Sequence, residues 1–573
     1  MFKRFSAASL LALAPLTLAS CATLPAETAP VADAGTVASA DPRAAEAGME
    51  MLRQGGSATD AAIATMLALT VVEPQSSGIG GGGFMLRGLP DGSVESFDGR
   101  ETAPAAAGPD WFLAENGEAK SYRDVVLTGL SVGVPANVAL AKLVHDKYGT
   151  LPWEALFRPA IRLAEDGFLM NARLNGSLDG NIARAGADPL MRATFYGKDG
   201  SPKPVGTRIV RTQLAATLRA IAAQGPEAMY GGANAAALAA KIADATPGDA
   251  HMTARDIARY QAKPRDAVCG SYRGYRICGM GPPSSGGIAV LAMLGQLERF
   301  DLAAIGPRDP RFWHLFLESQ KLAYADRELY TGDSDYVDIP VAGLVAPDYL
   351  ARRSALIDPA RAQSFEAGIP EGAPQARADG DEPVENGTTH FVVTDGAGTM
   401  ISYTSTIEGG FGSGLQFGGY YLNNELTDFS FSPEKDGQPV ANRVEGGKRP
   451  RSSMAPTLVW DPKGRPFLMI GAAGGSTIPV QVARSIVGVI DFGLSLEDAL
   501  ALPLAMDFGR VVVVEQGSWL EAQIGALEAL GHENVRPASP PFRAVGAIRT
   551  QDGWKGRHDP RLDGILDPSQ KGA

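Results

Sequence analysis

NGTTHFVVT at residues 386–394 is the stretch on which the fold of this chain turns. From Thr389 onward it has the β-branched and aromatic character of a strand, Asp395-Gly396-Ala397-Gly398 supplies a turn, and residues 399–406 supply a returning strand. Residues 366–387 (EAGIPEGAPQARADGDEPVENG) lack the apolar side chains needed to bury surface, so they read as a mobile connection that stops at Gly387. Thr388 therefore stands where a linker meets a hairpin, and Thr406 returns toward it. A threonine hydroxyl needs a base, and a free α-amine, with a reference pKa of about 7.7–8.0, can serve on the same residue. Cutting between Gly387 and Thr388 would create that amine, with Thr389 and Thr406 placed to orient it. Taken alone, the Thr-Thr pair fits strand packing equally well.

Working outward, residues 457–460 and 467–470 read as strands, and the second feeds the turn Gly471-Ala472-Ala473-Gly474-Gly475-Ser476 before a helix at 480–490. The N–H groups of Gly474 and Gly475 are candidate donors to an oxyanion, an interaction that is worth about 2.7–4 kcal/mol per donor in a serine protease. A strand at 510–514 and a helix at 520–530 complete this half. Arg100 in FDGRETAP, with Ser452 and Ser453 in KRPRSSMAPT, could hold a carboxylate; Glu425 and Asp428 in NNELTDFS could face an ammonium. Singly, each is as readily a surface charge or turn residue.

Upstream, apolar residues recur at helical spacing over residues 42–70, and Gly55-Gly56 divides them into two helices, the second capped by Ser57 or Thr59. Glycines 78 and 80–83 permit close backbone packing or contact with a substrate backbone. Further helices are expected within 134–167 and at 214–223, 234–242, 288–297 and 312–326. Cys269 and Cys278 flank GSYRGYRI, an apparent hairpin, which leaves a disulfide or a pair of buried thiols open. The six histidines are scattered without metal-ligand spacing, so no metal is expected. A formal charge of -12 excludes a typical nucleic-acid binder.

Lys3 and Arg4 precede the short apolar run SLLALAPLTLA, which reads as an export signal over residues 1–20. Leu18-Ala19-Ser20-Cys21 resembles a bacterial lipoprotein processing signal, with acylation expected on Cys21. Placement at the periplasmic face of an outer membrane follows, the alternative being a soluble periplasmic or secreted protein. Residues 21–40 read as a flexible tether.

Taken together, GGSATDAAIA at 55–64, VVEPQSSGIGGGGFM at 71–85, FDGRETAP at 97–104, GMGPPSSGGI at 279–288, LAYADRELYTGD at 322–333, NGTTHFVV at 386–393, TSTIEGGFGSG at 404–414, LNNELTDFS at 422–430, KRPRSSMAPT at 448–457 and GAAGGS at 471–476 resemble the gamma-glutamyltranspeptidase family. The resemblance implies an α+β fold, the four-layer α-β-β-α sandwich of N-terminal-nucleophile hydrolases. It also implies autocatalytic division into a large part (41–387) and a small part (388–573) that stay associated, with no cofactor. Thr388 matches the nucleophile, Thr406 its support, and Gly474 and Gly475 the oxyanion glycines. Arg100, Ser452 and Ser453 match the α-carboxylate clamp, and Glu425 and Asp428 the α-amine clamp. Glutathione or another γ-glutamyl donor, and water, amino acids or dipeptides as acceptors, are the implied partners.

Two departures stand out. Glu408 occupies a place where well-known members carry an asparagine that contacts substrate. Residues 429–448 are shorter than the flap of some members and contain no tyrosine, which implies a more open site. A cephalosporin or glutaryl-amide acylase of the same fold is the enzymatic alternative. An unprocessed, membrane-anchored binding or structural protein is the non-enzymatic one.

Overall fold

The computed structural model describes Met1 and residues 35–374, 378, 387–539 and 543–567. The elements below belong to one compact unit that begins at residue 34. Twelve strands make two six-stranded sheets. The first contains β1 (Gly35–Ser39), β2 (Gly82–Gly88), β3 (Val94–Gly99), β4 (Lys263–Arg265), β7 (Thr389–Asp395) and β8 (Met400–Thr406), in the order β1-β7-β8-β2-β3-β4. The second contains β5 (Val268–Tyr272), β6 (Tyr275–Gly279), β9 (Thr457–Trp460), β10 (Pro466–Gly471), β11 (Val545–Thr550) and β12 (Gly553–His558), in the order β12-β11-β10-β9-β6-β5. All pairings within both sheets are antiparallel.

Alternation along β7 and β8 explains the layering. Phe391, Val393, Ile401 and Tyr403 join the core formed with helices α1 (Pro42–Arg53) and α2 (Ala58–Val72), whereas Val392 and Met400 join the core shared with β9 and β10. Each such buried side chain contributes about 1.5–3 kcal/mol, so a one-residue slip of this hairpin would reverse a large part of the core. Helices α3 (Gly286–Leu297) and α5 (Ile478–Ile490) cover the outer face of the second sheet, and α4 (Pro310–Tyr330) packs on α3. The result is the expected four-layer α-β-β-α sandwich, with strands from both sides of the Gly387–Thr388 bond sharing each sheet.

Most expected elements are present. Ser57 caps α2, accepting from Asp60 N at 3.2 Å while Asp60 accepts from Ser57 N at 2.9 Å. The glycine run serves packing: a Cβ at Gly80 would lie 2.0 Å from Tyr421 O, and one at Gly81 2.0 Å from Thr406 O. Cys269 and Cys278 face each other across the β5–β6 hairpin and are joined as a disulfide. The expected helix at 520–530 is shorter, a 3-10 turn at Glu521–Gln523 followed by helix Ile524–Ala529.

The tether boundary needs correction, because residues 35–39 are not a linker. They form β1, pairing with β7 from Gly35↔Asp395 to Ser39↔Phe391. Small, Ala-rich composition hides this strand from a local reading, but β7 would otherwise present unpaired backbone groups at a sheet edge. Gly35 is required there, since a Cβ would sit 2.0 Å from Thr394 O. Cys21 and residues 2–34 of the expected signal and tether lie outside the described residues, as do residues 375–377 and 379–386 of the expected linker. Among the described residues, no helix is long and apolar enough to cross a membrane.

Two histidines distant in sequence meet in the structure. His314 Nδ1 lies 2.9 Å from His532 Nε2, and His314 Nε2 donates to Asp358 O at 2.8 Å. Glu318, one turn along α4, comes within 4.8 Å of both but accepts from Lys321 Nζ at 2.8 Å and Gln363 N at 2.9 Å. This network fastens residues 358–363 to α4 and to the C-terminal part of the chain. Burial lowers His532 to about 3, helped by Lys321, and burial lowers His390 to about 3. An unfolded imidazole titrates near 6.5, so above that pH neither state gains a proton and these groups add no pH dependence. Between about 6.5 and 3 the unfolded chain takes up protons that the folded chain refuses, and stability falls. We expect Tm to drop steeply from pH 6.5 to 4.5 and His532→Asn to flatten that slope; parallel curves for the two proteins would refute the assignment.

Candidate active site

β7 begins at Thr389 and β8 ends at Thr406, so the hairpin places Thr388 beside Thr406 at one end of the first sheet. Thr388 Oγ1 donates to Thr406 Oγ1 at 3.3 Å, and Glu408 N donates to the same Thr406 oxygen at 2.8 Å. Thr388 has φ 140° and Glu408 has φ 68°, values that side chains with a Cβ seldom adopt. Backbone strain is thus concentrated at the expected cut and at the loop facing it. Gly387 has no alternative, because a Cβ would lie 1.7 Å from Glu408 O. Thr389, expected to help orient Thr388, instead has a buried hydroxyl oxygen without a hydrogen-bond partner among the described residues.

Thr388, Thr406 and Glu408 line a small cleft together with Arg100, Glu425, Asp428 and Ser452. Arg100 is delivered by the end of β3 and is 1% exposed. Its guanidinium pairs with both Glu425 and Asp428 and also donates to Pro450 O at 3.2 Å and Arg451 O at 2.9 Å. The two halves of the expected clamp therefore pair with each other, one cation against two carboxylates. Burial pushes the adjacent Glu101 up to about 8, so it keeps its proton at neutral pH and leaves Arg100 to balance Glu425 and Asp428.

Of the two serines, Ser452 lines the cleft. Its hydroxyl oxygen accepts from Met454 N at 3.1 Å, whereas Ser453 Oγ accepts from Arg327 Nη2 at 2.8 Å. Arg327 is a buried cation on α4.

Gly474 and Gly475 lie between β10 and α5 with φ 125° and 56°. Thr477 Oγ1 donates to Gly474 O at 2.8 Å, and Gln481 Nε2 donates to Ala473 O at 2.9 Å, which stiffens the turn. The first N–H groups of a helical segment lack acceptors within it, so this is a place where backbone donors point outward. β10 reaches the turn beneath β7: a Cβ at Gly471 would lie 2.3 Å from His390 Cε1. His390 itself is buried, neutral and bonded to Thr404 Oγ1 at 2.8 Å, which makes it a packing residue.

Glu408 is 4% exposed, accepts from Asn424 Nδ2, and is pushed up to about 7 by burial against the opposing pull of Arg184. Residues 429–448 form a short surface hairpin, Glu434–Lys435 with Gln438–Pro439, whose far side is anchored under the clamp. There Asn442 donates to Asp428 O at 2.6 Å and accepts from Arg451 N at 2.8 Å.

Sequence reasoning missed Asn424, Arg184 and Arg543. Asn424 sits inside NNELTDFS next to Glu425, and that adjacency was the available signal. Arg184 and Arg543 carry none, because their partners are remote: Arg543 Nη1 reaches Thr388 O at 3.4 Å and Ser76 Oγ at 3.3 Å.

Comparison with known proteins agrees with this geometry. The profile of the gamma-glutamyltranspeptidase family matches residues 44–568. The glutathione hydrolase proenzyme of Bacillus subtilis (strain 168) is 38% identical over 484 residues, covering 82% of this chain and 80% of that protein. The acylase ACY 1 proenzyme of Pseudomonas sp. (strain SE83) is 35% identical over 509 residues, covering 88% of this chain and 87% of that protein. Among solved structures, a cephalosporin acylase from Bacillus halodurans superposes with a TM-score of 0.81 at 27% identity, covering 92% of this chain and 94% of that one. With nearly its whole length matched and the Thr388 hairpin and charged cleft present, the chain belongs to the gamma-glutamyltranspeptidase family.

Proposed function

We infer that this protein is an autoprocessed γ-glutamyltransferase and glutathione hydrolase, and the observation that carries the reading is Arg100 paired with Glu425 and Asp428 in the cleft of Thr388. A γ-glutamyl group ends in an α-carboxylate and an α-ammonium. Inserting this zwitterion exchanges one set of ion pairs for another: the carboxylate takes Arg100 and the ammonium takes Glu425 and Asp428. A zwitterion adds no net charge, so the exchange leaves no ionic group of the buried site without an opposite charge beside it, a loss that would cost several kcal/mol.

Processing and turnover use the same attack. The Thr388 hydroxyl oxygen adds to the Gly387 carbonyl, the Gly387–Thr388 C–N bond breaks as its nitrogen takes up a proton and becomes the α-amine of Thr388, and water then hydrolyses the resulting ester to release the Gly387 carboxylate and the Thr388 hydroxyl. In turnover that amine takes the hydroxyl proton as the oxygen adds to the γ-amide carbonyl. The N–H groups of Gly474 and Gly475 receive the oxyanion, the proton passes to the leaving amine, and a γ-glutamyl-threonine ester remains. Water or the amine of an amino acid or dipeptide then takes the glutamyl group. This chemistry requires no cofactor.

The high structural similarity to a cephalosporin acylase favours a second reading, a glutaryl-amide acylase, which would use the same nucleophile on donors lacking the α-amine. Comparing γ-glutamyl and glutaryl anilides separates the two. We expect kcat/KM to favour the γ-glutamyl donor by at least about 100-fold, the worth of roughly 3 kcal/mol of charge-assisted bonding; preference for the glutaryl donor would reverse the assignment. The large and small parts are proposed to remain associated, tethered by lipid on Cys21 at the periplasmic face of the outer membrane. Intact mass of the large fragment tests that anchor.

A further inference from the structure

We propose that Arg184, acting through Asn424, is a positioning residue that aims Glu408 into the cleft as a carboxylate and so selects donors carrying an α-ammonium. The proposal rests on the γ-glutamyl reading above and extends it to a residue outside the shared motifs.

The bonds around Asn424 fix its amide. Arg184 Nη2 donates to Asn424 Oδ1 at 2.9 Å and Gly409 N donates to it at 3.0 Å, so this atom is the acceptor. Nδ2 must then face Thr427 Oγ1 at 3.1 Å and Glu408 Oε2. Arg184 also donates to Gly412 O, and a Cβ on Gly409 would meet its Nη2 at 2.6 Å. The guanidinium thus spans the loop whose residues Glu408 and Phe411 have φ 68° and 66°. Loosening that grip lets the loop relax and swing Glu408 out of the cleft.

Charge adds to position. Tyr122 and the cations Arg184 and Arg100 interact with Glu408, while Glu425 and Asp428 line the same cleft, and processing adds the Thr388 amine. Two further carboxylates disfavour an ionised Glu408, and the arginines oppose them. Without Arg184, Glu408 holds its proton to higher pH and attracts an ammonium less.

The test is a double-mutant cycle on processed enzyme with γ-glutamyl anilide, using Arg184→Gln, Glu408→Gln and the pair, with Arg184→Lys as the charge-conserving variant. Arg184→Gln is expected to raise KM about tenfold (~1.4 kcal/mol) at pH 7 with kcat within threefold, and to move the acidic limb of kcat/KM upward by about one pH unit. In the Glu408→Gln background the same change should shift KM less than about twofold, and Arg184→Lys should restore the limb. Equal losses in both backgrounds, or a fall in kcat with KM and the acidic limb unmoved, would overturn the proposal while leaving the γ-glutamyl reading intact. Inactive wild-type enzyme would instead remove that underlying reading.

Discussion

Thr388→Ala should leave the chain uncut, with γ-glutamyl hydrolysis reduced by a factor on the order of 10⁴–10⁶, the range seen when a covalent nucleophile is removed. Two losses coincide in this variant. The hydroxyl that contacts Thr406 is absent, so no ester forms at Gly387; and because the bond stays intact, no α-amine appears to act as base. The fold should survive, since Thr388 precedes β7 and the core of that strand comes from Phe391, Val392 and Val393. Intact mass and N-terminal sequencing read the outcome directly: wild type gives a fragment that starts at Thr388, and the variant gives one chain. Efficient cutting of Thr388→Ala would show that another group opens the bond. Thr388→Ser, which keeps the hydroxyl, should be cut and retain part of the activity.

The second large effect is expected from Arg100→Met, and it should appear in both stability and turnover. Glu425 and Asp428 are 1% and 4% exposed, and removing their shared cation breaks two buried ion pairs, a change that costs about 3–5 kcal/mol. Thermal unfolding should register it as a marked fall in Tm. Adding Glu425→Gln and Asp428→Asn removes the imbalance and should restore most of the Tm, because an uncharged set of similar shape is well tolerated. Activity should stay down by about 10²–10³ in kcat/KM in both variants, since the site then lacks its cation for the substrate carboxylate. A Tm that recovers together with activity would mean that Arg100 serves the fold alone; wild-type Tm and kcat/KM in Arg100→Met would remove both roles.

Glu408 links the clamp to the nucleophile. Its backbone N–H bonds Thr406, its carbonyl closes over Gly387, and its side chain enters the cleft. A residue with φ 68° at this point keeps all three contacts at once, which an extended backbone would separate. This is a physical reason for the Glu-Gly-Gly sequence that follows Ile407: the loop turns sharply, and Gly409 leaves room for the Arg184 guanidinium.

Local sequence carried the hairpin because its signals are short-range. Alternating β-branched residues, an Asp-Gly turn and the end of a polar linker define Thr388 and Thr406 within about twenty positions. The two helices before the glycine run were equally readable, since Ser57 and Asp60 form a reciprocal cap across one turn. The motifs also named the charged residues of the cleft, though not their mutual arrangement: Arg100 and Glu425 come from distant segments, and their pairing depends on how β3 and the NNELTDFS turn approach each other.

What sequence by itself determined about this protein is the class of chemistry, because a threonine poised behind a linker, a glycine turn and a zwitterion clamp are statements about residue type and order. Tertiary structure alone decided which groups meet. It drew Gly35–Ser39 out of an apparent tether to pair with β7, turned Ser453 toward Arg327, and brought Arg184 through Asn424 to Glu408. Each of these contacts joins positions far apart in the chain, where hydrogen-bond satisfaction and burial act on the folded whole and leave no periodicity for a local reading to detect.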